Sequence, residues 1–153
     1  MGRSSHMLVL ILLGLIGGAA VGLQGPMSSA ISQRLGPLSA SLIIHIGGGV
    51  LSAVLLILVG GESIGQWRDL PAPYFLTGLF GVGLFIVLSL TIPRVGAAGT
   101  TTLIVAGQFV VAMLIDQFGW FGVPQSSLSL TRIAGAVLLV AGAYLISLSP
   151  AST

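Results

Sequence analysis

Long apolar runs separated by short polar turns dominate the sequence. A membrane-spanning helix needs about 20 mainly apolar residues, because the hydrocarbon core is about 30 Å thick and each residue rises about 1.5 Å. The segments that meet this requirement are predicted at about 8–33, 38–59, 71–92, 95–115 and 128–148. The sequence therefore predicts an all-α integral membrane protein with five transmembrane helices.

The turns between these segments contain the residues that usually end helices, as in "RLGP", "GGESIGQWRDLPAP", "PR" and "DQFGWFGVPQSS". The prolines at 37, 71, 93 and 124 fall at or near segment ends, where a missing N–H costs little. We interpret residues 1–6, "MGRSSH", as a cloning scar, residues 7–149 as a single five-helix membrane domain and 150–153 as a tail.

Composition supports a membrane protein, since 55% of the 153 residues are hydrophobic, 5% are charged and the mean hydropathy is +1.13. Soluble domains are about one quarter charged. The first apolar run is too long for a cleaved signal peptide, has no preceding native positive charge and is followed by further spans. The absence of cysteine excludes disulfides and thiolate metal sites, and no basic cluster suggests a nucleic-acid partner.

The arginines do not predict an orientation. Side A, as we define it, has the N-terminus and the loops around Arg68 and Arg132; side B has the loops around Arg34 and Arg94 and the C-terminus. Lysine and arginine asymmetry in short loops normally sets orientation, and here it cancels. Either one helix dominates insertion, or the chain inserts both ways and pairs as an antiparallel dimer.

Small residues recur at helical spacing. In the first segment they are Gly14, Gly18, Gly22, Pro26 and Ala30, and Gly135 and Gly142 recur in the last. Such faces allow close helix packing in lipid, within a subunit or between subunits. The alternative is a smooth surface on which helices slide during transport.

Three polar side chains are predicted deep in the membrane. Counted from side B, Gln24, His45 and Gln108 lie about 12–20 Å deep, in the middle third of the core. They come from different helices and could converge on one cavity. His45 is either a protonatable relay or a neutral hydrogen-bonding group. Gln108 either forms hydrogen bonds between helices or contacts a ligand.

Pro26 predicts a kink in the first helix, because it lacks an N–H and clashes with the carbonyl of Gly22. Loosened carbonyls beside Gln24, Ser28 and Ser29 could then coordinate a polar solute. In the alternative interpretation Pro26 only bends the helix, and the serines bond to their own turn.

Asp116 lies at the side A end of the fourth segment, at a depth similar to that of Arg132. An ion pair between them is expected, and it acts either as a helix-end anchor or as a gate. Arg34 and Arg94 at the side B mouth either anchor helix ends or attract anions. The loops of side A also suggest an interfacial aromatic belt, which consists of Trp67, Tyr74 and Trp120.

Several chemistries are not expected. No Asp or Glu occurs in the middle of a predicted span, which argues against proton/cation antiport through a buried carboxylate. No metal cluster, phosphate-binding loop or catalytic triad is recognisable, since no acid is placed to orient His45 towards Ser28 or Ser29. We therefore expect no enzyme activity, no cofactor and no metal.

The motifs "PRVGAA", "AGQ…IDQFGWFG" and "TRIAGAVLLVAG", in this order and after "GLQGPMSSAISQRLGPLSASLI", resemble the YdcZ-like family of the drug/metabolite transporter superfamily. The resemblance covers nearly the whole chain, although the family commonly has an asparagine at the position of Ser28. It implies half of a ten-helix inverted-repeat transporter, completed by a second, oppositely oriented copy or a paralogue. It does not imply a substrate.

These observations together predict a small-solute exporter in the bacterial inner membrane that works by alternating access as an antiparallel homodimer. Its cavity would be lined by Gln24, Ser28, His45 and Gln108, with the bend at Pro26. Two alternatives remain: a passive channel of the same architecture, and a non-transporting assembly subunit held by its glycine faces.

Overall fold

The computed structural model describes residues 3–148. Its long helices are α1 (Arg3–Leu35), α2 (Pro37–Leu58), α3 (Thr77–Phe118) and α4 (Leu130–Ser147). Short 3-10 helices lie in the connections at Ile64–Asp69, Ala72–Leu76 and Trp120–Gly122. Residues 1–2 of the predicted scar, residue 149 of the membrane domain and the tail 150–153 lie outside the described residues.

Four helices in the described range are long and apolar enough to cross a membrane. The all-helical membrane class is therefore supported, but the predicted count of five separate helices is not confirmed. The difference arises at the predicted third and fourth spans, 71–92 and 95–115. From residue 72 onward both fall in one continuous stretch, Ala72–Phe118, which consists of a short 3-10 helix and the 42-residue α3.

α3 continues through Pro93, where the sequence predicted a turn. A proline removes only one backbone donor, so helical residues can continue on both sides of it when the freed carbonyl finds another partner. The interruption comes instead at Gly96, whose φ of 75° and ψ of 169° are non-helical. Glycine adopts a positive φ without the steric cost that a side chain would add.

A single glycine also joins α1 to α2. Gly36 has φ 87° and ψ 157°, close to the conformation of Gly96. Its N–H donates to the carbonyl of Ser32 at 2.8 Å, and its own carbonyl accepts from the N–H of Ala40 at 3.1 Å. Gly36 therefore takes part in the hydrogen bonds of both helices, and Pro37 occupies the first turn of α2, where a missing donor costs little.

Two further helix ends are capped, the end of α2 and the start of α4. α2 ends with Gly60 at φ 87°, and the N–H of Gly61 donates to the carbonyl of Leu56 at 2.7 Å, as in a Schellman motif. At the start of α4 the hydroxyl of Ser129 accepts from the N–H of Arg132 at 3.2 Å. These caps satisfy backbone groups that a helix leaves unpaired at its ends.

The chain divides into two units, Met1–Leu90 and Thr91–Thr153. In the first unit α1 and α2 pack against each other, and the chain reverses at Gly36, since residues on both sides of it line one groove. In the second unit α4 approaches α3 at Gly99, where an added Cβ would lie 3.4 Å from the Cα of Ser147.

Burial in the described residues is the reverse of that in a soluble protein. The buried side chains are mostly small or hydroxylic, while most leucine and isoleucine side chains are exposed. The buried polar residues are Ser28, Ser29, Ser32, Ser41, Ser89 and Thr100. Small and hydroxylic residues allow helices to approach closely in lipid, where no hydrophobic effect drives apolar side chains into the interior.

The glycine face of α1 is open within the first unit. A Cβ built at Gly14, Gly18 or Gly22 would have no other heavy atom within 4 Å, apart from its own helix and neighbours. The same holds for Gly135 and Gly142 of α4. Both predicted uses, close packing against a helix or a subunit and a smooth sliding surface, therefore stay predictions for these glycines.

Candidate solute-binding groove

A groove of about 400 Å³ lies between α1 and α2 in the first unit. It is lined by Ala20, Leu23, Gln24, Met27, Ser28, Ile31 and Ile44. The α1 residues recur every three or four positions, so they form one face of that helix. Two of the four predicted cavity residues, Gln24 and Ser28, therefore share one wall.

Gln24 and Ser28 differ in how their polar groups are used. The Ser28 hydroxyl, which is buried, donates to the backbone carbonyl of Gln24 at 2.6 Å. This is the local bond that the alternative interpretation of the serines predicted. The Gln24 side chain is exposed, and its amide forms no hydrogen bond with the residues that the structure describes. Gln24 is thus the available polar group of the groove.

α1 remains helical on both sides of Pro26, from Arg3 to Leu35. The backbone carbonyl of Gln24 accepts a hydrogen bond from the Ser28 hydroxyl. Ser29 is buried, at 4% exposure, and does not line the groove. The predicted solute site beside Pro26 and the bend at Pro26 both stay predictions.

His45 does not line the groove, although Ile44 before it does. Its Nδ1 lies 2.7 Å from the backbone carbonyl of Ser41, which can only accept, so Nδ1 carries the hydrogen. In the neutral ring Nε2 is then the acceptor. The ring packs edge-on against Phe85, with centroids 5.2 Å apart, and Nε2 faces Gly81, where an added Cβ would lie 2.8 Å away.

Gln108 belongs to the second unit, on the part of α3 that follows Gly96. Its side chain is exposed and makes no hydrogen bond to other described residues. It is not among the residues that line the groove. Its predicted share in the cavity stays a prediction.

Sequence reasoning missed Gln33, which links α1 to α3 within the first unit. Its Nε2 donates to the backbone carbonyl of Ser89 at 3.2 Å. In a regular helix that carbonyl would accept from residue 93, which is a proline without an N–H. A glutamine in one span and a proline four residues after a helical serine were visible in the sequence, but the register that joins them was not.

The expected ion pair is present in the second unit. Arg132 Nη2 lies 3.0 Å from Asp116 Oδ2, and Arg132 Nη1 donates to the Ser126 hydroxyl at 3.1 Å. The backbone carbonyl of Asp116 also accepts from the N–H of Ser126 at 2.8 Å. The pair is partly exposed, with side-chain exposures of 39% and 30%, and it closes the connection between α3 and α4.

Gln117, the neighbour of Asp116, holds the same connection and was also missed. Its side-chain oxygen accepts from the N–H of Leu128 at 2.8 Å, and its backbone carbonyl accepts from Gln125 Nε2 at 2.8 Å. The dipeptide "DQ" of the motif "IDQFGWFG" therefore organises the residues that follow it. Both of its side chains are used for hydrogen bonds inside the second unit.

The remaining predicted anchors are at helix ends or in connections. Arg34 is exposed in the last turn of α1, where a cation complements the helix dipole. Arg94 is exposed within α3. Arg68 lies over the ring of Trp67, with Cζ 5.2 Å from the ring centroid, in a 3-10 helix. Trp120 stacks on Phe118, with centroids 5.1 Å apart.

Comparison with known proteins identifies the family of the chain. A family model described as "Putative inner membrane exporter, YdcZ" matches residues 9–145. The chain is also similar to the Inner membrane protein YdcZ of Escherichia coli (strain K12), with 36% identity over 87 residues. This match covers 56% of the chain and 53% of the relative, so the chain spans about half the length of the curated relative it matches. No solved structure matches the chain.

The family match covers most of the chain and confirms the expected resemblance. The description of the family is that of an inner membrane exporter. Together with the apolar helices, it identifies a multi-pass protein of the inner membrane. The chain belongs to the YdcZ family of the drug/metabolite transporter superfamily.

Proposed function

We propose that this protein exports a small solute by alternating access and that its working form is an antiparallel homodimer. The observation that carries the proposal is the Gln24 amide. It is exposed on the wall of a groove and has no hydrogen-bond partner among the described residues. An unpaired amide in hydrocarbon costs free energy, so a solute, a partner subunit or cavity water is needed to satisfy it.

The proposal requires five spans, with α3 crossing the membrane twice. A straight helix of 42 residues would be about 63 Å long, roughly twice the thickness of the hydrocarbon core. Residues 97–118 alone would be about 33 Å long, which is sufficient for one crossing. Gly96 is the proposed turning point, because it has nearly the conformation in which Gly36 joins α1 to α2.

The open glycine face supports a partner subunit. Gly14, Gly18 and Gly22 leave a smooth strip on α1 that no other helix of the first unit covers. Helices associate in lipid through such strips, because small residues let the backbones approach. A second copy in the opposite orientation would cover the strip and double the polar lining. In this proposal Gln24, Ser28, His45 and Gln108 of both copies face the cavity.

The Asp116–Arg132 pair is proposed as an anchor for the α3–α4 connection and not as a gate. The same arginine bonds to Ser126, and Asp116 holds the backbone of Ser126 as well. Such a network fixes one loop conformation. A gate would need a second arrangement in which these bonds break together, and the pair serves the loop in the arrangement observed here.

Flux from proteoliposomes tests the transport proposal without a known substrate. Vesicles that contain the protein are loaded with a small-molecule extract of bacterial cells, and mass spectrometry follows which compounds leave. A carrier gives saturable loss that the same compound accelerates from the outside. Linear loss without such exchange would indicate a channel, and loss equal to that from protein-free vesicles would contradict transport.

The double variant Gln24→Leu with Gln108→Leu is the matched test of the site. A carrier whose cavity uses these amides loses exchange, while its reconstitution and helical content stay unchanged. Unchanged exchange in this variant would contradict the proposed site. A non-transporting subunit would show no exchange in either form.

A further inference from the structure

The groove between α1 and α2 has an unusual distribution of polar groups. None of its seven lining residues is charged, and five of them are aliphatic or thioether side chains. The nearest arginine on the same helix, Arg34, is ten residues beyond Gln24, or about 15 Å along the axis. An ion bound beside Gln24 would therefore have no countercharge in the groove, which is costly in a membrane interior.

The two polar lining groups define what a solute must offer. The Gln24 amide carries two donors and an acceptor oxygen, and none is used by the described residues. The Ser28 hydroxyl has given its hydrogen to the Gln24 carbonyl, so it can only accept. A single uncharged hydrogen-bonding group on the solute, such as an amine N–H, a hydroxyl or an amide, would satisfy this end of the groove.

The remainder of the groove suits an apolar body. Its volume of about 400 Å³ lies near the lower end of the 300–1,000 Å³ that small-molecule sites usually occupy. Met27, at 66% exposure, contributes a flexible and polarizable side chain that adapts to different shapes. Leu23 and Ile31 on the same face and Ile44 on α2 complete an apolar wall.

We propose that the groove binds an uncharged, mainly apolar small molecule through one hydrogen bond to the Gln24 amide. This inference rests on the proposed function and adds the class of the solute. It excludes organic cations and organic anions as preferred ligands, since the groove offers neither a carboxylate nor a basic side chain. Gln24 is the residue that recognises the polar group, and the aliphatic wall sets the size.

Two fluorescent probes that differ by one charge test the class of solute. N-Phenyl-1-naphthylamine is an uncharged aromatic amine, and 8-anilinonaphthalene-1-sulfonate has the same skeleton with a sulfonate. Purified protein in uncharged detergent is titrated with each, and the thermal unfolding midpoint is followed by circular dichroism, because a ligand that binds the native state raises it. We expect a saturable rise with the amine and none with the sulfonate.

Gln24→Leu should weaken binding of the amine by about tenfold, the upper range for one lost hydrogen bond. Gln66→Leu is the matched control, because it removes an exposed amide from the 3-10 helix 64–69, outside the groove, and should not change the affinity. If Gln24→Leu fails to fold, Gln24→Asn keeps the amide on a shorter side chain and should bind the amine with intermediate affinity.

Preference for the sulfonate, or equal binding by Gln24→Leu, would overturn the inference. So would the absence of saturable binding of the amine. The vesicle experiment separates this failure from failure of the proposed function: exchange that depends on Gln24 but carries only charged compounds would refute the solute class and leave the transporter intact. Absence of exchange by the unmodified protein would contradict the proposed function, whereas saturable binding of the amine that depends on Gln24 would still support the solute class.

Discussion

The side-chain amide of Gln33 on α1 donates to the backbone carbonyl of Ser89 on α3 at 3.2 Å. The carbonyl needs this donor because the residue four positions later, Pro93, has no N–H. A glutamine from another helix thus replaces the hydrogen bond that the proline removes. The bond explains how α3 stays helical through Pro93.

Gln33→Leu should destabilise the protein by about 1–2 kcal/mol, the range measured for interhelical hydrogen bonds in membrane model systems. Pro93→Ala returns the missing N–H. Gln33→Leu should therefore cost less stability in the Pro93→Ala background than in the unmodified protein. Unfolding in mixed micelles of dodecylmaltoside and SDS measures all four members of the cycle. Strictly additive effects would show that Gln33 does not compensate for the proline.

Gly81 makes room for His45. A Cβ at this position would lie 2.8 Å from Nε2 of His45, and the ring is held by its bond to Ser41 and its contact with Phe85. Gly81→Ala should therefore cost about 1–3 kcal/mol, as overpacking usually does. Gly83→Ala, with no heavy atom within 4 Å of the added carbon, is the control and should be close to neutral.

Combining Gly81→Ala with His45→Ala should recover part of the loss, since the clash then disappears. The same unfolding assay provides the coupling energy. Equal stability of Gly81→Ala and Gly83→Ala would show that the His45 ring does not lie against Gly81.

The Asp116–Arg132 pair should contribute modestly to stability. Partly exposed ion pairs are usually worth about 0–1 kcal/mol, and Arg132 also bonds to Ser126. Arg132→Ala should therefore cost more than Asp116→Ala, and Asp116→Asn should cost least because its amide oxygen can still accept. If the ion pair is only an anchor, the exchange rate of each variant in proteoliposomes should fall in proportion to its folded fraction. A variant that is fully folded but inactive would assign a gating role instead.

At Gly36 the backbone conformation, and not a lack of space, disfavours a side chain. A Cβ there would meet no heavy atom within 4 Å, but the residue has φ 87°. Gly36→Ala should destabilise the α1–α2 pair by about 1–2 kcal/mol, the usual cost of forcing a side chain into positive φ. Gly48→Ala in the middle of α2 is also uncrowded and should be neutral or slightly stabilising. Equal effects would contradict the one-residue connection.

The sequence predicted what depends on local pattern. Apolar length identified the helices, and the short connection between Asp116 and Arg132 made their ion pair foreseeable. The interruption of α3 was expected around Pro93 and occurs at Gly96, because one missing donor can be replaced from outside the helix whereas a positive φ at a glycine redirects the backbone itself.

What depends on register between helices could not be predicted. The bond from Gln33 to Ser89 and the fit of His45 against Gly81 require knowing which faces of α2 and α3 meet. The glycine spacing of α1 predicted a smooth face, but the sequence could not show that α2 leaves this face uncovered at Gly14 and Gly18. Ser28 lines the groove, but its hydroxyl hydrogen is donated to a backbone carbonyl of its own helix.

The orientation of the C-terminus tests the central claim most directly. Fusing green fluorescent protein or alkaline phosphatase after Thr153 reports a cytoplasmic or a periplasmic end, respectively, in cells that express similar amounts of each fusion. An antiparallel homodimer predicts comparable signals from both reporters, in agreement with the balance of Arg68 and Arg132 against Arg34 and Arg94. Activity from one reporter alone would contradict the homodimer.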